Sequence, residues 1–247
     1  MVKANRVEKP LLPEPGERAF IAGQTGSGKT AFAVWLLERI ETSPAFIYDT
    51  KEETKFDTLP NSKIVSTIEE ADEAYSDPTL DYIIFRPPIN VTSDPRALDD
   101  LLYHHWQYWR RSVAYIDETY MFHTNGRAGP GLLALMTRGR SREITVIMCT
   151  QRPAWISQFM VSEAQKFYIF FLNIANDKKR IAEIMPTFDK LPNPPKHGFY
   201  FFKAGESVAT KYGAVKLAKT QDVGYTDPDP LPAKDAPAPK RRADIWI

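Results

Sequence analysis

The sequence predicts an α/β protein built on a doubly wound, mainly parallel sheet. Three observations support this fold class. From Arg18 onward, apolar runs of strand length alternate with helical segments, which is typical of βαβ units. The runs are almost continuously apolar, as in strands buried on both faces. A glycine-rich loop, from Gly23 to Thr30, joins the first run to the first helix.

Each predicted element is a periodic or apolar stretch bounded by turn residues. The first strand, "RAFIAG", begins at Arg18, and the first helix extends from Lys29 to about Glu41. The next strands are "AFIYDT" at 45–50, "YIIFRP" at 82–87, "SVAYIDE" at 112–118, "TVIMCTQ" at 145–151 and "KFYIFFLN" at 166–173. Further helices are predicted at about 94–111, before Arg140 and near 177–185. The last two runs, "GFYFFKA" and "KYGAVKL", predict an antiparallel hairpin at the sheet edge.

Composition divides the chain into three parts. Residues 1–17 are polar and contain three prolines, which predicts an extended N-terminal arm. Residues 18–219 form the predicted folded domain, and the Pro-rich residues 220–247 predict a flexible tail. The last residues of the tail, "ADIWI", are either a docking peptide or a weakly ordered end.

Charge and hydropathy exclude some classes of protein. The net charge of the 247 residues is +1, so contact with nucleic acid would need a local basic cluster and not a uniformly basic surface. The longest apolar run, "FYIFFL" at 167–172, is too short to cross a bilayer, which predicts a soluble protein without a transmembrane segment. The single cysteine, Cys149, lies in an apolar strand and is expected to be a core residue.

The segment "GQTGSGKT" matches the phosphate-binding pattern G-x-x-x-x-G-K-[ST] and lies between a strand and a helix, as that loop requires. Glycines let the backbone N–H groups turn toward the phosphates at a helix N-terminus. We expect Lys29 to reach the β- and γ-phosphates and the Thr30 hydroxyl to bind Mg²⁺. The residues expected to bind the nucleotide are Gly23, Thr25, Gly26, Ser27, Gly28, Lys29 and Thr30.

A second motif, "VAYIDE" at 113–118, is an apolar strand that ends in two acids. Asp117 is expected to hold Mg²⁺, and Glu118 is expected to polarise a water for attack on the γ-phosphate. This pair favours hydrolysis of the nucleotide. The base-reading motif N-K-x-D of small GTPases is absent from the sequence.

A third motif, "GRSREITVIMCTQRP", contains a strand that ends in Gln151. We expect this strand to lie between the other two motif strands, where the Gln151 amide senses the γ-phosphate or orients water. The three motifs together resemble the HerA/FtsK superfamily of P-loop ATPases. Because the chain holds little beyond the ATPase core, it looks most like the genome-packaging ATPases of tailless, internal-membrane double-stranded DNA viruses.

The resemblance implies a function and its partners. It implies a homo-oligomeric ring, expected to be a hexamer, that uses ATP and Mg²⁺ to push double-stranded DNA into a preformed capsid. It implies contact with the capsid vertex or with packaging proteins, in the host cytoplasm and at the packaging vertex of the virion. By the same resemblance, Gly23 to Thr30, Asp117, Glu118 and Gln151 match the motif positions for phosphate, metal, water and sensing, and Lys29, Glu118 and Gln151 are the catalytic candidates among them.

Ring ATPases usually complete the site with an arginine from the adjacent subunit. Arg140, which precedes the sensor strand, is the first candidate. Arg180 is the second, because "NDKKRIAEI" resembles the D-S-R-x-I segment of the superfamily. Taken singly, each is as well explained as a solvated surface arginine.

Other polar residues have two open interpretations. Arg127, in the glycine-rich "HTNGRAGPGLL", either touches DNA phosphates or lies in an ordinary surface loop. Asp49 and Lys51 end a strand, so they either line the nucleotide or form a structural ion pair. His104 and His105 lie among aromatic residues at helical spacing, and core packing is the preferred explanation.

Two alternatives to genome packaging remain at this point. One is a phage assembly or secretion ATPase that drives extrusion through a membrane, although no transmembrane helix is present in the sequence. The other is a scaffold in which the nucleotide only assembles the ring. Glu118 argues against the scaffold, because a pure binding module needs no water-activating acid.

Overall fold

The fold is seen in a computed structural model that describes residues 9–216 except Ser43 and Asn125. The first eight residues of the predicted arm and all of the predicted tail, 220–247, lie outside the described residues. In the rest of the arm, a 3₁₀ turn at Lys9–Leu11 ends in Leu11, which is buried against the sheet. The Tyr168 hydroxyl and the Lys166 ammonium donate to the carbonyls of Leu11 and Leu12. The described part of the arm therefore packs onto the domain.

Nine of the strands in the described residues form one mixed sheet. They are β1 (Arg18–Ala22), β2 (Ala45–Tyr48), β3 (Ser62–Val65), β4 (Tyr82–Phe85), β5 (Val113–Ile116), β8 (Thr145–Thr150), β9 (Lys166–Ile169), β10 (Phe199–Lys203) and β11 (Thr210–Tyr212). A separate hairpin is made by β6 (His123–Thr124) and β7 (Arg127–Ala128). The order of the large sheet is β11-β10-β9-β1-β8-β5-β2-β4-β3, and only β10 is antiparallel to its neighbours. The predicted fold class, including the antiparallel edge hairpin, is confirmed.

Helices cover both faces of the sheet. They are α1 (Lys29–Leu37), α2 (Ile68–Tyr75), α3 (Ile89–Thr92), α4 (Pro95–Tyr108), α5 (Pro130–Arg138), α6 (Gln158–Ser162) and α7 (Ala175–Ala182). Side chains of α1 pack on one face against Tyr168 of β9 and against Phe170, which directly follows that strand. Buried residues of α2, α4, α5, α6 and α7 fill the core on the other face. The apolar strands are therefore buried on both sides, as their composition predicts.

The strand order brings the three motifs together at one edge of the sheet. β8 lies between β1 and β5, with Ala22 opposite Thr150 and Ile116 opposite Met148. The residues that follow these strands therefore emerge side by side at the carboxyl edge, where α/β sheets bind ligands. The expected position of the Gln151 strand is confirmed.

The helices α4 and α5 are joined by hydrogen bonds and by close packing. The buried carboxylate of Asp99 on α4 accepts hydrogen bonds from the first backbone N–H groups of α5, at Gly131 (2.7 Å) and Leu132 (2.8 Å). The two helices are in very close contact, because a Cβ on Gly131 would lie 2.2 Å from the Asp99 carbonyl oxygen. Burial raises the pKa of Asp99, and the two N–H donors oppose that effect.

His105 on α4 is a core residue, which confirms its interpretation from the sequence. Its ring is fully buried between the Tyr48 hydroxyl, 2.8 Å from Nδ1, and the Ser112 hydroxyl, 2.9 Å from Nε2. Burial lowers its pKa to about 3, so the ring is neutral at physiological pH. Cys149 in β8 is also buried, as expected, and is a free thiol. Within the described residues, no helix is both long enough and apolar enough to span a bilayer.

Candidate active site

The phosphate loop leaves β1 and enters α1 in a conformation that needs glycine. The loop is held to the sheet by Gly23 N–H, which donates to the Thr150 carbonyl (3.2 Å). A Cβ on Gly23 would lie 2.5 Å from Cβ of Phe170, and Gly28 has a φ of 109°. The Lys29 ammonium is largely buried and donates to the Gln24 carbonyl across the loop (3.1 Å). The Ser27 hydroxyl is buried and lacks a hydrogen-bond partner among the described residues. The loop thus places a cationic side chain, Lys29, and the Ser27 hydroxyl at the N-terminus of α1, an arrangement that suits an anion.

The two acids follow β5 directly and are almost fully buried. Asp117 is 6% exposed and Glu118 is 1% exposed, and Glu118 has a positive φ of 48°. Burial and then the neighbouring Glu118 carboxylate raise the pKa of Asp117 to about 7, while Lys51 opposes this effect. The Asp117 carboxylate accepts a hydrogen bond from the Tyr115 hydroxyl, at 3.4 Å. Lys51 and Lys29 only partly offset the effect of burial and of the Glu118 carboxylate on the pKa of Asp117.

A chain of polar contacts links Glu118 to the phosphate loop. Oε1 of Glu118 contacts Nζ of Lys51 and accepts a hydrogen bond from Nε2 of Gln151 at 2.5 Å. The other end of the Gln151 amide, Oε1, accepts a hydrogen bond from the Thr25 hydroxyl. Gln151, which follows β8 directly, thus touches both motifs on either side of it, and the Glu118 carboxylate is held away from solvent.

Asp49 and Lys51, which follow β2, have different roles. Asp49 is buried and forms a structural ion pair with Arg86, at 2.8 Å, and also accepts the Glu53 N–H. Lys51 instead lines the site and holds Glu118. Burial opposes the charge on Lys51, but Glu118 and Asp117 outweigh it and raise the pKa of the ammonium. Of the two residues, Asp49 thus forms a structural ion pair, whereas Lys51 lines the site.

These side chains line a cavity of about 500 Å³ at the carboxyl edge of the sheet. It is bordered by the phosphate loop, the two acids, Gln151 and Lys51, and on the opposite side by His197, Ala214 and Val215. The last three residues flank the edge hairpin, and no motif pointed to them. Thr30 lines the same cavity, as expected for a residue that binds metal and phosphate.

The candidate arginines lie outside this cavity in their own chain. Arg140 is exposed at the amino edge of the sheet, next to Gly16, which precedes β1. Arg180 on α7 pairs with Glu183 at 2.5 Å and lines a separate cavity of about 410 Å³ with Tyr120 and Trp155. Arg127 is exposed on the β6–β7 hairpin. The roles of Arg140 and Arg180 as residues acting on a neighbouring subunit, and of Arg127 on DNA, stay predictions.

Among the other arginines near Arg140, Arg142 has a structural explanation. Its Nη1 donates to the carbonyls of Trp106 (2.6 Å) and Gln107 (2.7 Å), and its guanidinium stacks on the Trp106 ring. Arg138, at the end of α5, is exposed.

Known proteins resemble this chain in sequence and in fold. No protein-family model matches the chain. The DNA packaging ATPase P9 of Enterobacteria phage PRD1 is 28% identical over 206 residues, which are 82% of this chain and 86% of P9. The genome packaging NTPase B204 from Sulfolobus turreted icosahedral virus 2, in complex with ATP-gammaS, has a TM-score of 0.65 at 15% identity. That match covers 82% of this chain and 99% of B204.

A second structure, the DNA-packaging ATPase B204 from Sulfolobus Turreted Icosahedral Virus, has a TM-score of 0.59 at 17% identity. It covers 83% of this chain and 100% of that protein. These structural likenesses show that the α/β fold is shared over about four fifths of this chain and almost all of the two B204 proteins. Sequence and fold thus confirm the predicted resemblance to the genome-packaging ATPases.

Proposed function

We propose that this chain is an ATPase that packages a viral genome by moving double-stranded DNA into a preformed capsid. The observation that carries the proposal is the similarity to P9 over 86% of its length, in a chain whose own site has the required arrangement. Phosphate loop, acid pair and sensor amide meet in one cavity, although Thr25 of the loop and Gln151 are 126 residues apart along the chain.

ATP and Mg²⁺ fit the residues of the cavity. Lys29 and Thr30 line the cavity at the N-terminus of α1, where an anion is favoured, and the Ser27 hydroxyl of the same loop is a buried donor with no acceptor among the described residues. Asp117 is buried beside a second carboxylate, and burial together with Glu118 outweighs the effect of Lys51 and Lys29 on its pKa, as expected at the edge of a cation site. Thr30 and Asp117 would hold Mg²⁺, which when bound would neutralise charge on the phosphates.

Hydrolysis needs a group that activates water, and Glu118 is the residue proposed for that role. Lys51 and the Gln151 amide both contact Oε1 of this carboxylate, whereas Oε2 accepts, among the donors of the described residues, only the Gln151 backbone N–H, at 3.4 Å. Oε2 therefore keeps the capacity to accept a proton from water. Gln151 also touches Thr25 in the phosphate loop, so the amide is placed to respond when the loop is occupied.

In a ring, an adjacent subunit can supply the arginine that is missing from the described cavity of a single chain. Among the described residues, the basic side chains that line the cavity, apart from His197, are Lys29, Lys51 and Lys55, and no arginine lies among them. We therefore propose that Arg140 or Arg180 of an adjacent subunit completes the site in a ring, expected to have six members. Arg127 would contact DNA phosphates, and the ring would act at the packaging vertex after assembly in the host cytoplasm.

The test is steady-state ATP hydrolysis with and without linear double-stranded DNA, at low and moderate salt. We expect stimulation by DNA that fades as salt rises, because phosphate contacts release counterions. Lys29→Ala should abolish turnover, and Glu118→Gln should retain nucleotide binding but not turnover. Hydrolysis that persists in Lys29→Ala would refute the phosphate-loop assignment, and hydrolysis indifferent to DNA would contradict DNA translocation.

A matched pair of variants tests the DNA contact. Arg127→Ala should weaken stimulation and reduce the salt dependence by about one phosphate contact. Arg111→Ala is the control, because Arg111 is an arginine with an 81% exposed side chain just before β5, at the opposite edge of the sheet. Equal effects of the two variants would contradict a specific role for Arg127.

A further inference from the structure

One wall of the cavity is built by the edge hairpin, far along the chain from the motifs. Because β10 is antiparallel to β9, the amino end of β10 and the carboxyl end of β11 lie at the same edge as the phosphate loop. His197 precedes β10, whereas Ala214 and Val215 follow β11, and all three line the cavity. This wall lies on the β9 side of β1, whereas the acids lie on the β8 side.

The position of the acids gives the direction of a bound nucleotide. The terminal phosphate must face Asp117 and Glu118, since hydrolysis takes place there. The nucleoside at the other end of the triphosphate then extends across the phosphate loop, away from the acids. On the nucleotide binding proposed above, we infer that the purine base stacks on the imidazole of His197 and packs against Ala214 and Val215.

The surroundings of His197 suit this role. Its backbone has a positive φ of 60° and lies against the phosphate loop, so that a Cβ on Gly28 would be 3.2 Å from Cβ of His197. The residue is exposed, and its side chain makes no hydrogen bond, ion pair or ring contact within the described part of the chain. A flat ring is thus held at the rim of the cavity without a partner in the protein, and stacking on a base would give it one.

The chemistry of this wall indicates what it recognises. An imidazole, a methyl group and an isopropyl group bind a base through its ring area and not through its exocyclic groups. Adenine and guanine should therefore depend on His197 to the same extent, and pyrimidines should depend on it less because their rings are smaller.

Direct binding measurements on the full-length protein without DNA test this inference. The ligands are ATP, GTP and inorganic tripolyphosphate, each with Mg²⁺, and the readout is Kd by calorimetry. His197→Asn removes the ring while keeping a residue that tolerates the positive φ, and His197→Phe restores a ring. Lys29→Ala serves as the control for the phosphate loop.

His197→Asn should weaken ATP and GTP by about 5- to 30-fold, the usual effect of losing one stacked aromatic ring. It should leave tripolyphosphate binding unchanged, and His197→Phe should restore ATP binding to within about threefold of the original protein. Unchanged ATP affinity in His197→Asn, or an equal loss for tripolyphosphate, would overturn the stacking role. If the original protein bound neither ATP nor tripolyphosphate and Lys29→Ala changed nothing, the nucleotide site itself would be refuted, and the base site with it.

Discussion

Removing the charge of Lys51 should destabilise the empty protein by isolating the Glu118 carboxylate. The Glu118 side chain is only 2% exposed, and Lys51 is its cationic partner. In Lys51→Met the aliphatic stem remains but the ammonium is lost, so a buried carboxylate keeps only its contacts to Gln151. Deleting one partner of a fully buried ion pair typically costs about 3–5 kcal/mol.

The expected cost here is smaller, because water screens part of this pair. The Lys51 side chain is 33% exposed, and the hydrogen bond from Gln151 persists, so we expect a loss of about 2 kcal/mol in the free energy of unfolding. Glu118→Gln should cost less, about 0–1 kcal/mol, since Lys51 can turn toward solvent when the carboxylate is gone. In the double variant no isolated charge remains, so it should resemble Glu118→Gln alone.

The assay is a double-mutant cycle measured by urea unfolding without nucleotide, because urea does not screen the ion pair as guanidinium chloride does. The reasoning predicts a coupling energy of about 2 kcal/mol between the two positions. If the double variant lost as much stability as the sum of the single variants, Lys51 would not stabilise the protein through Glu118. Equal m-values across the four proteins are the check that the unfolded states are comparable.

Two further predictions concern the scaffold behind the site. Burial lowers the pKa of His105 to about 3. Between that pH and the unfolded-state pKa of about 6.5, only the unfolded chain binds the proton. The contribution of His105 to stability is therefore fully present above about pH 6.5, and the free energy of unfolding falls by about 1.4 kcal/mol for each pH unit below it. Between pH 7.5 and 5.5, the free energy of unfolding measured in urea should therefore fall by about 1.4 kcal/mol less in His105→Gln than in the original protein. An equal fall in both proteins would contradict this. Gly131→Ala should cost about 1–3 kcal/mol or more, because its Cβ would lie 2.2 Å from the Asp99 carbonyl oxygen and 2.5 Å from the Tyr103 nitrogen, both of them backbone atoms. Gly213→Ala is the control, with nothing within 4 Å of its Cβ, and a Gly131→Ala protein no less stable than this control would refute the close packing of α4 and α5.

The parts of the site that were predictable from sequence are contiguous motifs at strand ends. Lys29, Asp117 and Gln151 each follow an apolar run, and parallel strands deliver their carboxyl ends to one edge, so their meeting follows from strand order. His197 was not predictable in this way. It reaches the phosphate loop because β10 reverses direction at the sheet edge, a tertiary arrangement that leaves no spacing signal around the residue itself.

Strand boundaries show a similar limit. The run "KFYIFFLN" predicts a strand over 166–173, but β9 ends at Ile169, and Phe170 and Leu172 are buried outside the strand. An apolar run reports burial and not pairing, so the length of the strand was overestimated. β3 was missed for the opposite reason: at this edge of the sheet only Val65 of its four residues is buried, so it has no apolar run.

The Gln151 amide gives the chain of hydrogen bonds between the phosphate loop and Glu118 a fixed direction from donor to acceptor. An ionised Glu118 can only accept a hydrogen bond, so the NH₂ group of Gln151 must face it and the amide oxygen must face Thr25, as observed. Once Glu118 has taken up a proton, it can donate a hydrogen bond. The Gln151 amide is then free to rotate so that its NH₂ group and its oxygen exchange places. The Thr25 hydroxyl would then have to accept where it now donates. A proton gained at Glu118 would thus reverse the direction of two hydrogen bonds and change the hydrogen bonding of Thr25, in the loop proposed to bind phosphate, without any movement of the backbone.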